Sequence, residues 1–211
     1  MFEALRYPTR GEHAEKALLA AWLCVLVHSI ALPVLALVPL LGYSTVVLER
    51  GEGDEPPTFL DRSVLRRGLG ASALTVAYGA IPLGTALVTF VLLAESGREP
   101  TGVGSVIVLA GSTTVLFVLA AAAYLLPIAL ANYARSGPLR AGFSGLVPIA
   151  THAAYFVGWC SGSILGLLGL ALASALVDLG GVLAVLGSLV GAYVTIVAAR
   201  RIGRGYAVAV G

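Results

Sequence analysis

The chain has 211 residues, of which 58% are hydrophobic and only 11% are charged. A soluble domain carries about 25% charged residues, so this composition argues against a soluble protein and predicts an integral membrane protein. The net charge of +2, and the lack of basic stretches interleaved with aromatic residues, argue against nucleic-acid binding.

The first apolar block extends over Ala17–Leu48 and contains two prolines. A single helix of that length would measure about 48 Å, against a hydrocarbon core of about 30 Å. We therefore predict two short helices, at 12–31 and 33–50, with one bent helix as the alternative. Pro33 fits the start of the second helix, where its fixed φ and missing N–H cost least.

A strongly charged connector, Arg50–Gly68, follows this block. Pro56 and Pro57 break any helix within it. The sequence Thr58-Phe59-Leu60-Asp61 resembles a capping box, and apolar residues follow among the charges. We predict a short helix here, lying in the headgroup region of the membrane.

The remaining apolar blocks predict four further spans, at 69–94, 103–133, 146–173 and 181–199. Each is close to or above the length of about 20 residues that crosses a bilayer as a helix. A second charged connector, Ala134–Gly145, lies between the second and third of these spans. We predict that it forms another interfacial helix.

The basic residues predict the topology. With six spans, twelve of the thirteen Lys and Arg residues fall on the side of the N-terminus, and Arg98 falls on the other side. Because basic residues accumulate on the cytoplasmic side, both termini are expected in the cytoplasm. We therefore predict one all-α multi-pass domain over 1–211, with six transmembrane helices as three hairpins and two interfacial cytoplasmic connector helices.

Three of the predicted helices end in a similar way, with a Tyr followed by an Arg. Aromatic rings favour the membrane–water interface, and guanidinium groups reach toward the headgroups. The expected anchors of the helix ends are Tyr43, Arg50, Tyr133, Arg135, Tyr193 and Arg200. The alternative is a cytoplasmic ring of these residues that binds anionic lipid or a partner.

Glycine recurs at every fourth residue in the last two predicted spans. This spacing gives a flat helix face on which a second helix packs closely. The predicted packing seam of the third hairpin contains Gly158, Gly162, Gly166, Gly187 and Gly191. A homodimer face or a hinge is the alternative.

Histidines within predicted spans are functional candidates, because ionisable groups are costly there. Cys24 and His28 share a helix face, so that a metal site with His152 and Cys160 is chemically possible. Packing of the thiols as small apolar groups is the simpler interpretation. The functional candidates are His28, His152, Arg62, Arg66 and Arg67. Since no catalytic motif occurs, we expect no enzymatic activity and no cofactor or metal.

Several short motifs follow one another in a characteristic order. They are Gly42-Tyr43 with Arg50, Pro56-Pro57-x-Phe59-x-Asp61, Leu65-x-x-Gly68, Asn132-Tyr133-Ala134-Arg135-Ser136-Gly137, Arg140-Ala141-x-Phe143, Tyr155 with Trp159, and Ala199–Ala207. In this order the chain resembles the archaeal membrane family catalogued as domain of unknown function 4013. The resemblance implies a multi-spanning archaeal protein, and twelve arginines against one lysine suggest a haloarchaeal source. It implies no activity, and the pair Arg66-Arg67 departs from it.

Two hypotheses for the function follow. The first is a non-enzymatic scaffold or assembly subunit of the archaeal cell membrane, which binds lipid, a partner protein or a second copy of itself. The second is a small-solute permease or channel, whose polar cavity would be lined by groups such as His28, Tyr78, Tyr124, Asn132 or His152. No predicted span carries a charged residue near its middle, which disfavours ion-coupled transport.

Overall fold

The computed structural model describes residues 5–11, 14–30, 35–51, 53, 55–59, 61–95 and 103–211. These residues form seven α-helices: α1 (Ala14–Ile30), α2 (Leu37–Glu49), α3 (Arg62–Glu95), α4 (Val103–Ser136), α5 (Leu146–Ala150), α6 (Ala153–Asp178) and α7 (Gly181–Val210). Two short 3-10 helices, Tyr7–Thr9 and Leu139–Phe143, complete the described elements. The all-helical prediction is confirmed.

Four helices, α3, α4, α6 and α7, are long and apolar enough to cross a membrane. At about 1.5 Å per residue their lengths are roughly 39–51 Å, which exceeds the hydrocarbon thickness of about 30 Å. Large apolar side chains on them face outward, including Val76 and Phe117, which are 71% and 75% exposed. Lipid chains rather than water suit such a surface, as expected for a multi-pass membrane protein.

The first hairpin is shorter than the others. α1 and α2 contain 17 and 13 residues, and residues 31–34, where the predicted turn falls, lie outside the described part. The two helices contact each other directly. α2 measures only about 20 Å and falls short of the hydrocarbon thickness, so helix length alone does not establish six spans.

The predicted first connector helix is not a separate element. Asp61 caps the start of α3, accepting hydrogen bonds from the Ser63 backbone at 3.1 Å and the Ser63 hydroxyl at 2.8 Å. α3 then continues without interruption to Glu95. The prediction was wrong because charged side chains do not interrupt the backbone hydrogen bonds of a helix, so the charged first turns and the apolar span form one continuous helix.

The second connector also differs from its prediction. It contains the 3-10 helix Leu139–Phe143, which packs against α3 and α4, and the short helix α5 that follows it packs against α4. The Tyr78 hydroxyl donates to the Gly142 carbonyl at 2.8 Å, and the Asn132 amide donates to the Ser144 carbonyl at 2.9 Å. These side-chain contacts hold the segment against the spans, so it does not form one amphipathic helix.

Two predicted span boundaries were also wrong. The fifth span begins at Ala153 instead of residue 146, because His152 is extended and its imidazole accepts the Ala154 N–H at 3.3 Å. The sixth span continues past residue 199 as a helix to Val210. Three arginines follow residue 199, and charge did not end this helix either.

α2 lies at the centre of the fold and contacts α1, α3, α4 and α7. Its side chains from Tyr43 to Leu48 are all buried. Gly42 allows a close approach to α3, since a Cβ there would lie 2.1 Å from the Val64 carbonyl oxygen. α2 therefore joins the α3–α4 hairpin to the α6–α7 hairpin.

Candidate functional site: the arginine-rich end

Four chain segments meet at one end of the molecule, which we call the arginine-rich end. They are Leu5–Gly11, the connector between α2 and α3, residues 132–145, and residues 200–211. The Tyr193 hydroxyl donates to the Leu5 carbonyl, and a terminal N–H of Arg200 donates to the Arg50 carbonyl at 3.0 Å. The Tyr206 hydroxyl donates to Asn132 Oδ1 at 2.6 Å. These long-range bonds bring the four segments together.

Arg200 and Tyr7 form the centre of this end. The Arg200 guanidinium carbon lies 4.6 Å from the centre of the Tyr7 ring, and the two residues are 6% and 2% exposed. The Tyr7 hydroxyl donates to the Glu55 carbonyl at 3.3 Å. Burial raises the pKa of Tyr7, while the positive charges of Arg200 and Arg50 act in the opposite direction. The N-terminal segment is thus fixed to α7 and to the connector.

Glycine backbones permit the closest contact at this end. A Cβ on Gly51 would lie 2.0 Å from the Gly203 carbonyl oxygen, and a Cβ on Gly203 would lie 2.6 Å from the Leu48 carbonyl oxygen. No side chain fits between these backbones. The connector is therefore pressed directly onto α7.

The predicted helix-end anchors occupy different environments. Tyr43 is completely buried, with its ring 4.9 Å from that of Phe59, and Tyr133 is buried over Gly70. Tyr193 and Arg200 lie within α7, ten or more residues before its end at Val210. The pattern at these two residues is therefore not a helix end, and the Arg200 guanidinium contacts Tyr7 instead of headgroups.

Arg50 and Arg135 are the exposed members of the predicted anchor set. Arg50 follows the last residue of α2, and Arg135 lies in the last turn of α4. The Arg135 guanidinium also lies close to the Tyr206 hydroxyl. Both guanidinium groups border open cavities at the arginine-rich end.

The five seam glycines lie in the third hairpin, where α6 and α7 make the most extensive contact in the fold. A Cβ on Gly158 would lie 2.9 Å from the Gly205 Cα, and one on Gly187 would lie 2.6 Å from the Ala173 carbonyl oxygen. Gly162 faces Ala198 and Ile202. Gly166 faces Ala198, and Gly191 faces Ala173 and Val25. The seam glycines thus face larger residues of a neighbouring helix, with Gly158–Gly205 the exception.

The two candidate histidines, His28 and His152, are far apart in the sequence and belong to different structural elements. His28 lies in the last turn of α1, whereas His152 precedes α6 and its imidazole accepts a hydrogen bond from the Ala154 N–H. His152 is exposed and does not lie within a span, which differs from its prediction. Among the described residues, no group of three or more His, Cys, Asp or Glu side chains is positioned to hold a metal ion.

Three arginines line an open groove of about 540 Å³ between the start of α3 and the end of α4. They are Arg66 and Arg67 on α3 and Arg135 on α4. Tyr133, Ser136 and Pro138 form much of the remaining wall. Arg62, the other candidate arginine, is exposed at the first position of α3. The groove is thus strongly cationic.

Two further cavities open at the same end. One, of about 460 Å³, lies between Arg50, Arg135 and the last turns of α7. The other, of about 260 Å³, lies between the N-terminal segment and the connector, and its lining includes Arg10, Glu55 and Thr58. The connector is therefore accessible on one side, although its other side is buried against α7.

Sequence reasoning missed the residues that join the two long hairpins. The Tyr155 hydroxyl donates to the Tyr124 carbonyl at 2.6 Å, and the Trp159 indole donates to the Ala123 carbonyl at 3.1 Å. The Tyr124 hydroxyl donates to the Ala150 carbonyl at 2.6 Å. Each bond joins residues more than 25 positions apart, so local residue spacing in the sequence does not predict it. The resemblance motifs contained Tyr155 and Trp159, which was the available signal.

The long apolar helices, their lipid-facing surfaces and the closely packed arginine-rich end define a polytopic helical membrane protein. The chain belongs to the family described as "Protein of unknown function (DUF4013)", whose model matches residues 25–178. The predicted family membership is thereby confirmed. No curated protein and no solved structure matches the chain.

Proposed function

We propose that this protein is a non-enzymatic scaffold in the cell membrane, which presents the connector between α2 and α3 to a partner protein. The proposal rests on the contacts that hold this connector against the rest of the protein. Phe59 and Gly51 are buried, and the Tyr7 hydroxyl holds the Glu55 carbonyl. Thr58 nevertheless remains exposed at the cavity rim. A surface held on rigid neighbours loses little entropy when a partner binds it.

The proposal includes the finer topology. Six spans in three hairpins place both termini and the connectors on the cytoplasmic side of an archaeal cell membrane. The Tyr7–Arg200 contact supports the proposal, because it joins the N-terminal segment to the last third of α7 and so brings both to one end of the molecule. The concentration of arginine at the same end supports a cytoplasmic orientation.

The permease or channel alternative has less support. It needs polar groups that are free to face a solute within the membrane. The hydroxyls of Tyr78 and Tyr124 and the amide of Asn132 are instead bonded to backbone carbonyls of the second connector and of α5. These bonds fix helices together, which is the arrangement that a scaffold requires.

Site-specific photo-crosslinking in the source membranes tests the scaffold. A photo-reactive amino acid at Thr58 is expected to give one discrete protein adduct, whose partner is identified by mass spectrometry. A photo-reactive amino acid placed in that partner should in turn cross-link to Thr58. The same group at Val76, 71% exposed on the apolar face of α3, serves as the control and should give no such adduct. Absence of a protein adduct at Thr58, or solute flux in proteoliposomes above that of empty vesicles, would contradict the proposal.

A further inference from the structure

The groove between α3 and α4 combines charge with a lipid-facing position. Arg66, Arg67 and Arg135 line it, and none of the described residues that line it carries a carboxylate. The nearby Asp61 carboxylate, which caps α3, interacts electrostatically with Arg67 from outside the groove. Arg135 also lies close to the Tyr206 hydroxyl, a neutral group that does not neutralise its charge. Three positive charges facing one groove repel each other unless an anion lies between them.

The apolar surface of α3 begins directly beside these charges. Leu65 and Leu69 are 54% and 63% exposed, and they are one helical turn apart on the same face. Arg66 is exposed between them in the sequence, and Arg62 lies one turn nearer the start of the helix. The surface thus changes from cationic to apolar within about two turns, or about 11 Å. A phospholipid has the same sequence of an anionic head followed by apolar chains.

We propose that this groove binds the phosphate-bearing headgroup of an anionic membrane phospholipid, with the acyl or alkyl chains lying along the exposed apolar face of α3. Guanidinium groups suit this ligand because their planar N–H donors pair with two phosphate oxygens at once. A volume of about 540 Å³ accommodates a headgroup. The residues of the groove differ from those of the connector cavity, so this proposal is independent of partner binding.

Native mass spectrometry of the full-length protein in neutral detergent tests the proposal. Phosphatidylglycerol is titrated against phosphatidylcholine, and selective retention of phosphatidylglycerol is expected. Replacing the three groove arginines with Gln should weaken phosphatidylglycerol binding at least about tenfold, since each arginine near an anionic lipid contributes appreciably. The matched control replaces Arg6, Arg10 and Arg140, three exposed arginines of the same end, with Gln. The control should bind as the parent protein does.

Two further measurements separate the outcomes. Lysine at the three groove positions retains the charge and should retain most of the selectivity, which distinguishes loss of the site from loss of folding. Inorganic phosphate at millimolar concentration should leave bound phosphatidylglycerol in place. Displacement by phosphate would assign the groove to a free anion and overturn the lipid site. Equal losses in the groove and control variants, or equal binding of the two lipids, would overturn it as well.

Discussion

The guanidinium of Arg200 lies over the ring of Tyr7, although 193 positions separate the two residues in the sequence. The same guanidinium donates to the Arg50 carbonyl, so one buried cation contacts both the N-terminal segment and the end of α2. A buried charge is costly unless it has close partners. Through these two contacts Arg200 links the N-terminal segment to the end of α2.

A double-mutant cycle measures this interaction. Tyr7→Leu and Arg200→Met are each expected to lower the free energy of unfolding, and their effects should couple by about 0.5–2 kcal/mol because the cation–π contact is desolvated. Unfolding is followed in mixed micelles titrated with sodium dodecyl sulfate. Tyr7→Leu combined with Arg140→Met is the control, since Arg140 is exposed, and should be additive. Additive effects in the first pair would contradict a direct interaction.

The raised pKa of Tyr7 predicts a dependence on alkaline pH. Burial favours the neutral phenol in the folded state, and this exceeds the opposing effect of Arg200 and Arg50. The contribution of the neutral Tyr7 phenol to folding stability is therefore fully present below the ordinary pKa of 10.0. It is lost as the pH rises through the pKa of Tyr7 in the folded protein. Tyr7→Phe removes the titrating group, so its stability should decline less steeply above pH 10 than that of the parent. Parallel declines would show that Tyr7 does not titrate in the folded protein as described.

Gly51 should not tolerate a side chain. Gly51→Ala places a Cβ 2.0 Å from the Gly203 carbonyl oxygen, so backbone must move, and overpacking of this kind costs about 1–3 kcal/mol. Gly84→Ala is the matched control, because nothing lies within 4 Å of its Cβ. The apparent melting temperature in detergent should fall for Gly51→Ala and stay level or rise for Gly84→Ala. The reverse order would disprove the close contact between the connector and α7.

Two buried tyrosines should respond oppositely to loss of the hydroxyl. The Tyr43 hydroxyl finds no hydrogen-bond partner among the described residues, so Tyr43→Phe should be neutral or stabilising by up to about 2 kcal/mol. Tyr206→Phe loses a 2.6 Å bond to Asn132 and should cost about 1 kcal/mol. Unfolding in mixed micelles compares both variants. A destabilised Tyr43→Phe would reveal a partner for its hydroxyl.

The membrane character of the chain was predictable because apolar block length depends only on local sequence. The helix boundaries that we placed at charged residues were less predictable. Arg62, Arg66 and Arg67 suggested a separate helix, and Arg200 suggested a helix end, yet α3 and α7 continue through these residues. Charge reports where a helix leaves the hydrocarbon, while helix ends require a cap or a broken hydrogen-bond ladder.

The candidate site was predictable in composition but not in arrangement. The positive-inside rule gathers arginines on one side, and the groove contains two of the candidate arginines together with Arg135. The positive-inside rule does not predict that Arg200 is buried against Tyr7, because that contact depends on how α7 crosses the N-terminal segment. Tyr7 itself lies outside every apolar block and carries no periodic signal.

Thiol labelling of intact cells tests the orientation of the arginine-rich end most directly. In a background with Cys24 and Cys160 replaced by Ala, single cysteines are placed at Ser136, which lines the groove, and at Ala94, near the far end of α3. A membrane-impermeant maleimide should label Ala94→Cys in intact cells and Ser136→Cys only after permeabilisation. Labelling of Ser136→Cys in intact cells would contradict a cytoplasmic arginine-rich end.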